Sequence, residues 1–114
     1  TGLVVNFCLN YGGRAEIIDA CKTISKEVKD ELININDINE DYFSKKLYNP
    51  LPDVDYLIRT SGEQRISNFL LWELSYAEFI FVKDYFPDFN CNKFDEVISN
   101  YYKRNRRFGD VKEK

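Results

Sequence analysis

The sequence predicts an α/β fold with a parallel central sheet flanked by helices. Three short apolar runs, rich in Val, Ile and aromatic residues, alternate with segments in which apolar residues recur at helical spacing. This alternation favours a parallel sheet, because parallel strands need a crossover connection that a helix usually supplies.

The first predicted strand is residues 3–9 (LVVNFCL), a continuous apolar run of the kind that parallel sheets bury on both faces. From Arg14 to Leu32 apolar residues recur every three or four positions with Lys and Glu between them, which predicts an amphipathic helix. A loop and a shorter helix are predicted in 34–47, for which three residues are candidate N-caps: Asn36, Asp37 and Asn39.

Two further strands and a final amphipathic helix are predicted downstream: residues 54–60 (VDYLIRT), 77–82 (AEFIFV) and 92–108. The segment between the two strands, RISNFLLWELSY, is ambiguous by periodicity. Ser67 or Asn68 could cap a short helix within it.

The composition is that of one soluble globular domain, with 114 residues of which 44% are apolar. Three cysteines are scattered along the chain without a CxxC pair. That pattern argues against a disulfide framework and a zinc site, and it is typical of a reducing compartment, so we expect a cytoplasmic location. No apolar run reaches the length of a membrane span.

Charge and histidine content exclude two classes of function. The net charge of −3 divides into −7 for residues 1–102 and +4 for residues 103–114. A basic tail on an acidic body argues against nucleic-acid binding, which needs a wide basic face. The tail is either a helix end whose cations suit the helix dipole or a segment that contacts an anion. The chain has no histidine, which excludes catalysis by a Ser-His or Cys-His pair from this segment.

Glycine turns follow two of the predicted strands, in CLNYGGR and LIRTSGE. Ligands of open α/β sheets gather at the carboxyl ends of the strands, where glycine lets backbone N–H groups approach an anion. Neither turn carries a dinucleotide or ATP fingerprint, and a double glycine alone is most often only a tight turn.

Arg59 and Arg65 form the most informative pair, because they stand six residues apart across the Ser-Gly turn. Two guanidinium forks suit the oxygens of a diphosphate, and the Ser67 hydroxyl could add a hydrogen bond. The alternative is that both arginines pair with nearby carboxylates such as Glu63 or Asp55.

Glu78 opens an otherwise apolar strand and is a candidate ligand for Mg²⁺, which prefers carboxylates, water and substrate phosphates. One glutamate does not define a metal site, and an ordinary exposed strand end is the simpler interpretation. Six apolar side chains flank this region and fit a core, a subunit interface or a pocket for an apolar substrate: Phe69, Leu70, Leu71, Trp72, Phe79 and Phe81.

The segments TGLVVNF, NYGGR, DYLIRTSGEQRISNFLLWELSYAEFIF, FPDF and RNRRFG occur in this order in the cis-prenyltransferase family, which the chain resembles over nearly its whole length. The resemblance is greatest to the bacterial members that make undecaprenyl diphosphate. It implies that residues 1–114 are the C-terminal part of a single cis-prenyltransferase domain. The N-terminal part, with its Asp-Gly-Asn-Gly-Arg-Trp loop, is absent from this chain.

The resemblance also implies an activity, in which isopentenyl diphosphate is added repeatedly in cis to farnesyl diphosphate with Mg²⁺ as the cofactor. The product would be undecaprenyl diphosphate, the lipid carrier of peptidoglycan precursors. This segment would supply the isopentenyl diphosphate site and contacts of a homodimer. The enzyme would be cytoplasmic, at the inner face of the membrane, and the 114-residue chain alone would be inactive. The alternative is a non-catalytic binding and dimerisation subunit of a heteromeric cis-prenyltransferase.

Site residues are carried over from the resemblance position by position. The set that matches the isopentenyl diphosphate headgroup site is Arg59, Arg65 and Ser67. Glu78 matches a magnesium-site glutamate. Arg107 and Gly109 match an Arg-x-Gly motif that reaches the partner subunit's diphosphate site. Leu3 matches a position that lines the product tunnel, and no catalytic residue is implied in this segment. Some relatives have histidine where this chain has Gln64, so a role of that histidine does not carry over.

Overall fold

The computed structural model describes residues 2–110 of the chain. These residues form two compact units, the first made of residues up to 51 with 68–72, and the second made of 52–67 with the residues from 73 onward. The helices and strands, in chain order, are α1 (Gly13–Lys29), α2 (Glu40–Ser44), β1 (Tyr56–Arg59), β2 (Glu78–Phe81) and α3 (Cys91–Tyr102), with short 3-10 turns at Ile35–Asp37 and Phe86–Asp88. The predicted α/β class is confirmed.

In the first unit, α1 is capped by a residue that is distant in the sequence. Gly12 occupies the N-cap position without a side chain to offer. Instead the Asn68 carbonyl oxygen accepts a hydrogen bond from the Gly13 N–H at 2.7 Å, and the Asn68 Oδ1 accepts one from the Arg14 N–H at 2.9 Å. A Cβ atom on Gly13 would lie 2.8 Å from Leu71 Cγ. The second glycine of the pair is therefore required by close packing.

The predicted short helix in 34–47 is confirmed as α2, and Asn39 is its N-cap, since its side chain accepts a hydrogen bond from the Tyr42 N–H at 2.8 Å. α1 buries Ala20 and Ile24, and Leu47 after α2 is also buried. Glu16 is a buried carboxylate on α1 that accepts hydrogen bonds from the Tyr11 hydroxyl and, at 3.1 Å, from the Tyr48 N–H. Those two bonds offset the cost of burying its charge.

The prediction of a buried strand at residues 3–9 is wrong for this structure. The segment forms no strand, and Leu3, Phe7 and Leu9 are each at least 80% exposed. Apolar composition favours burial, but a strand also needs a neighbour to complete its hydrogen-bond ladder. Within residues 2–110 the only paired strands are β1 and β2, so this segment has no ladder to join.

The second unit contains the predicted second and third strands, which pair in parallel in one two-stranded sheet. In the register, Tyr56 lies opposite Glu78 at the start of the strands, and Arg59 lies opposite Phe81 at their end. α3 packs on the Tyr56 face, where the Tyr56 hydroxyl donates a hydrogen bond to the carbonyl oxygen of the buried Val97 at 3.0 Å.

The final helix is confirmed, but it ends at Tyr102, before the predicted end at 108. Continuing the helix through KRNRR would stack like charges at helical neighbour positions, which is unfavourable. Arg104 and Arg106 instead contact acidic groups of the second unit. Asn90 caps the start of α3 by accepting a hydrogen bond from the Lys93 N–H at 3.0 Å.

No short helix forms in RISNFLLWELSY, the segment that was ambiguous by periodicity. Ser67, Asn68 and Leu70 all have positive φ angles, between 46° and 63°, which a right-handed helix excludes. The Asn68 side chain that could have capped a helix here caps α1 instead. Among the described residues, no helix has both the length and the hydropathy that a bilayer crossing requires.

Candidate functional site

Arg59 lies at the carboxyl end of β1, and its guanidinium group gathers the other predicted anion-binding residues around it. Its Nη1 donates a hydrogen bond to the Ser67 Oγ at 3.1 Å and another to the Arg65 carbonyl oxygen. The loop from 60 to 67 thus folds back on the strand end. The Ser67 hydroxyl and the Arg65 backbone thus lie beside the Arg59 guanidinium.

The loop itself is held by backbone bonds to the segment that follows β2. The Ser61 N–H donates to the Asp84 carbonyl oxygen at 2.8 Å, and the Gly62 N–H donates to the Val82 carbonyl oxygen at 2.9 Å. Ser61 and Gly62 both have φ near +68°, where glycine is favoured. These two amides are already bonded, so an anion here would be held by side chains rather than by the loop backbone.

Several amides of the two glycine turns are bonded within the chain, and an α-helix begins directly after only the first turn. After NYGG, the Gly13 and Arg14 N–H groups are bonded to Asn68. After the Ser61-Gly62 turn, no α-helix begins before Cys91 in the described chain. The close approach of Leu71 to Gly13 explains one glycine, and the left-handed backbone explains Gly62.

Arg65 forms an ion pair with Glu63 at 2.6 Å, in which the two side chains are 67% and 38% exposed. An exposed pair of this kind contributes little, about 0.2–1 kcal/mol, so a phosphate could replace the carboxylate at small cost. The alternative prediction, carboxylate pairing, therefore holds for Arg65. It does not hold for Arg59 with Asp55, because Asp55 pairs with Arg106 at 2.6 Å.

Glu78 is placed apart from this cluster. Side chains alternate between the faces of a strand, so Glu78 lies on the face opposite Arg59, and the register separates the two by roughly 10 Å along the strands. Glu78 Oε2 is 3.2 Å from Arg104 Nη1. The same nitrogen of Arg104 also donates to the Phe79 carbonyl oxygen at 2.6 Å. The carboxylate is half-buried and already paired.

The described residues do not by themselves form a magnesium site. Residues 2–110 contain no group of three or more His, Cys, Asp or Glu side chains that could hold a metal ion. Glu78 would supply one carboxylate, in competition with Arg104. Mg²⁺ would need its remaining ligands from substrate phosphates, from water or from other protein groups.

Besides Arg104, the tail after α3 is held by a residue that the sequence alone did not single out, Arg106. Its Nη1 is 2.6 Å from Asp55 Oδ1, and its Nη2 donates to the Tyr76 carbonyl oxygen at 3.0 Å. Arg107 is exposed, and Gly109 has a φ angle of +86°. The RNRR sequence contains a signal for the role of Arg106. In an extended tail, side chains alternate, so Arg104 and Arg106 point to one side and Arg107 to the other.

Leu3, the predicted tunnel residue, lies in the unpaired segment at 91% exposure, so the described residues do not enclose it. The aromatic side chains divide between the two units. In the first unit Phe69 packs edge-on against Tyr11, and Trp72 stacks on Phe43 with ring centroids 4.4 Å apart. In the second, Phe79 and Phe81 contact each other on the Arg59 face of the sheet.

Comparison with protein families gives a match over residues 1–109 to the prenyltransferase family described as "Putative undecaprenyl diphosphate synthase". A ditrans,polycis-undecaprenyl-diphosphate synthase from Micrococcus luteus, specific for (2E,6E)-farnesyl diphosphate, is 48% identical over 97% of this chain and 45% of its own length. An isoprenyl transferase from Bifidobacterium longum is 53% identical over 95% of the chain and 41% of its own length. The chain thus spans less than half the length of these relatives.

Two solved structures share the fold. A lavandulyl diphosphate synthase from Lavandula x intermedia, in complex with dimethylallyl diphosphate, superposes with a TM-score of 0.84 at 38% identity, over 90% of this chain and 44% of that one. A probable undecaprenyl diphosphate synthase from Campylobacter jejuni superposes with a TM-score of 0.73 at 36% identity, over 90% and 45%.

Proposed function

Because the chain belongs to the undecaprenyl diphosphate synthase family of prenyltransferases, we propose that it forms the C-terminal part of a cis-prenyltransferase domain. The proposed enzyme condenses isopentenyl diphosphate onto an allylic diphosphate, farnesyl diphosphate, and repeats the step to give a long polyprenyl diphosphate. In this assignment the chain supplies the isopentenyl diphosphate site. The product would serve as the lipid carrier for peptidoglycan precursors.

One observation carries the proposal: the hydrogen bond between Arg59 and Ser67, with Arg65 on the same loop, at the end of a parallel strand. Guanidinium forks and a hydroxyl are the donors that a diphosphate accepts from. Leu57 and Phe79 lie on the same face of the sheet as Arg59 and are half-buried, so apolar surface adjoins the cationic group. A ligand with a charged head and a hydrocarbon body matches both parts.

The proposed reaction requires no nucleophilic side chain, which agrees with the absence of histidine. The bond between the allylic carbon and its diphosphate breaks, and the alkene of isopentenyl diphosphate forms the new carbon–carbon bond. A diphosphate oxygen then takes a proton from the adjacent carbon, which restores a double bond, and inorganic diphosphate is released. The tasks left to the protein are to bind both diphosphates, to align the carbons and to stabilise the departing charge. Arg59, Arg65 and Ser67 would hold the isopentenyl diphosphate head during these steps.

We also propose that the enzyme uses Mg²⁺ as its cofactor, forms a homodimer and is located at the inner face of the membrane. When bound, Mg²⁺ would neutralise charge on the allylic diphosphate. Glu78 would contribute one carboxylate, with the other ligands coming from outside the described residues. Arg107 and Gly109 would reach the diphosphate site of the partner subunit, for which the exposure of Arg107 is a requirement.

The test uses the whole natural protein that contains these residues, which we call the complete polypeptide. Isopentenyl diphosphate is titrated directly into it. Calorimetry of the unaltered protein should show saturable binding, and the Arg59→Ala variant should lose most of it. Lys22→Ala, which removes an exposed cation from α1, serves as the control. Equal binding by all three proteins would contradict the site assignment.

A second candidate is a binding and dimerisation subunit of a heteromeric cis-prenyltransferase. The observation that favours it is the ion pair between Glu78 and Arg104, which leaves the described residues without a free carboxylate for a metal at this position. The coding sequence discriminates between the two candidates. An Asp-Gly-Asn-Gly-Arg-Trp loop upstream favours the enzyme, and its absence there favours the subunit.

A further inference from the structure

In addition to Arg104, which contacts Glu78 and the Phe79 carbonyl oxygen, the tail that follows α3 is attached to the second unit by Arg106. Its guanidinium group uses both terminal nitrogens, one toward Asp55 Oδ1 at 2.6 Å and the other toward the Tyr76 carbonyl oxygen at 3.0 Å. Its Cζ also lies 4.4 Å from the centroid of the Phe108 ring. These three contacts, together named the Arg106 clasp, join residues before β1, before β2 and in the tail.

The Arg106 clasp depends on features that only arginine has. The planar fork addresses a carboxylate and a carbonyl oxygen at once, and its face stacks on an aromatic ring, whereas lysine offers a single point charge. The Arg106 side chain is only 20% exposed, although Asp55 is 72% exposed. Phe108 contacts the Tyr76 ring at a centroid distance of 6.0 Å, so the ring that Arg106 stacks on is itself held.

The clasp sets the direction of the two residues that match the Arg-x-Gly motif. Arg106 is half-buried against the second unit, whereas Arg107 and Phe108 are both exposed, although the Phe108 ring contacts Arg106 and Tyr76. The Asp110 N–H donates to the Arg107 carbonyl oxygen at 2.9 Å, which closes a turn around Gly109 with its φ angle of +86°. The Arg107 side chain in this turn is exposed, directly after the anchored Arg106.

We propose that Arg106 is a positioning residue, whose clasp on Asp55 and the Tyr76 carbonyl holds the tail so that Arg107 and Gly109 are presented to a bound diphosphate. This inference rests on the proposed function, because it assigns Arg107 and Gly109 to a diphosphate site. It adds two residues to that site, Arg106 and Asp55, neither of which would touch the substrate. Without the clasp, the tail would become ordered only when the diphosphate binds. The free energy needed to order the tail would then weaken the apparent affinity for the diphosphate.

The experiment uses three variants of the complete polypeptide. Arg106→Gln removes the fork, Asp55→Asn removes one charge and keeps an acceptor, and Lys103→Gln removes an exposed cation of the same tail as the matched control. Hydrogen exchange of the peptide covering 103–110 reports the order of the tail. Steady-state kinetics report KM for isopentenyl diphosphate, KM for farnesyl diphosphate and kcat separately.

For Arg106→Gln we expect faster exchange of the tail peptide and a rise of about fivefold or more in KM for isopentenyl diphosphate, with unchanged thermal unfolding of the remainder. For Asp55→Asn we expect a smaller change of the same kind, about twofold. Lys103→Gln should alter neither the exchange rate of the tail peptide nor KM.

If Arg106→Gln speeds hydrogen exchange of the tail but leaves KM for isopentenyl diphosphate unchanged, the positioning role is overturned. Unchanged hydrogen exchange of the tail in Arg106→Gln would overturn it too. If kcat of Arg106→Gln falls only in proportion to the fraction of unfolded protein, Arg106 has a purely structural role and the positioning role is overturned. Failure of the unaltered protein to bind isopentenyl diphosphate would instead contradict the proposed function.

Discussion

The Arg59 guanidinium donates a hydrogen bond to the Ser67 hydroxyl at 3.1 Å, across a loop that returns to the end of β1. The same nitrogen also donates to the Arg65 carbonyl oxygen, so Arg59 is a cation that organises its own loop. The Arg65 side chain instead forms an exposed ion pair with Glu63. The two arginines therefore differ in role, and their variants should differ in effect.

Replacing Arg59 with alanine should raise KM for isopentenyl diphosphate about 30-fold or more, because it removes a charged donor and also releases Ser67 and the Arg65 carbonyl. Arg65→Ala should raise the same KM by a smaller factor, since its side chain is largely exposed. Both should leave KM for farnesyl diphosphate nearly unchanged. Steady-state kinetics with varied isopentenyl diphosphate give these values, with Lys22→Ala as the control. Unchanged kinetics in both arginine variants would refute the assignment.

Changing Glu78 to glutamine separates its two candidate roles. If the carboxylate takes part in holding magnesium, the Mg²⁺ concentration for half-maximal turnover should rise about tenfold. If it serves only Arg104, that concentration should stay constant and the unfolding free energy should fall by about 1–2 kcal/mol, as for loss of a charged hydrogen bond. Magnesium titration of activity and urea unfolding of the same protein decide between them. Glu40→Gln, at an exposed first-turn position of α2, is the control.

Gly13→Ala should destabilise the first unit by about 1–3 kcal/mol, because the new Cβ would lie 2.8 Å from Leu71 Cγ and 3.0 Å from the Asn68 carbonyl oxygen. Asn68→Ala should cost about 1 kcal/mol through loss of the side-chain cap of α1. Urea unfolding monitored by Trp72 fluorescence measures both. Asn92→Ala, an exposed position on α3, should change little. A Gly13→Ala protein as stable as its parent would show that the α1 start can shift away from Leu71.

The acid stability of the first unit should depend on Glu27. Hydrogen bonds from Lys46 and Tyr42 lower the pKa of Glu27 from its ordinary value. A carboxyl whose pKa is depressed by folding stabilises the folded state above its unfolded pKa, and that contribution is lost as the pH falls through the folded value. Urea unfolding at pH 7 and at lower pH should therefore show a smaller loss of stability below about pH 4.5 in Glu27→Gln than in the parent.

Lys45→Gln provides the comparison for the Glu27 prediction, because Lys45 forms an ion pair with Asp41 in which both side chains are exposed. Its acid dependence should match that of the parent protein. If the Glu27→Gln and parent proteins lose stability equally below pH 4.5, the cluster of Glu27, Tyr42 and Lys46 does not couple folding to protonation.

The helices and two of the strands could be predicted from the sequence because local rules specify them. Apolar spacing from Arg14 onward matched α1, and Asn39 was a correct candidate cap for α2. The strand at residues 3–9 was not predictable in the same way. Its composition is that of a buried strand, but the ladder that would hold it depends on a partner that sequence spacing does not reveal.

The candidate site residues could be proposed from the sequence, but their contacts could not. Two arginines across a Ser-Gly turn, followed by a serine, indicated an anion site before any geometry was known. Asn68 shows the limit of this approach, because its cap acts on α1, which begins 55 residues earlier at Gly13. A cap requires only that the side-chain acceptor and the helix N–H donor meet in space. Local spacing therefore pointed to a helix near residue 68, whereas Asn68 caps α1.

By itself the sequence determined the secondary-structure periodicities and the chemical groups available for a diphosphate. The tertiary structure decided which acid each cation meets: Glu63 for Arg65, Glu78 for Arg104 and Asp55 for Arg106. The chain has 19 acidic and 16 basic side chains, so each cation has many possible partners. Because the attraction between two charges falls with distance, the arrangement of the strands and the tail decides which pairs form.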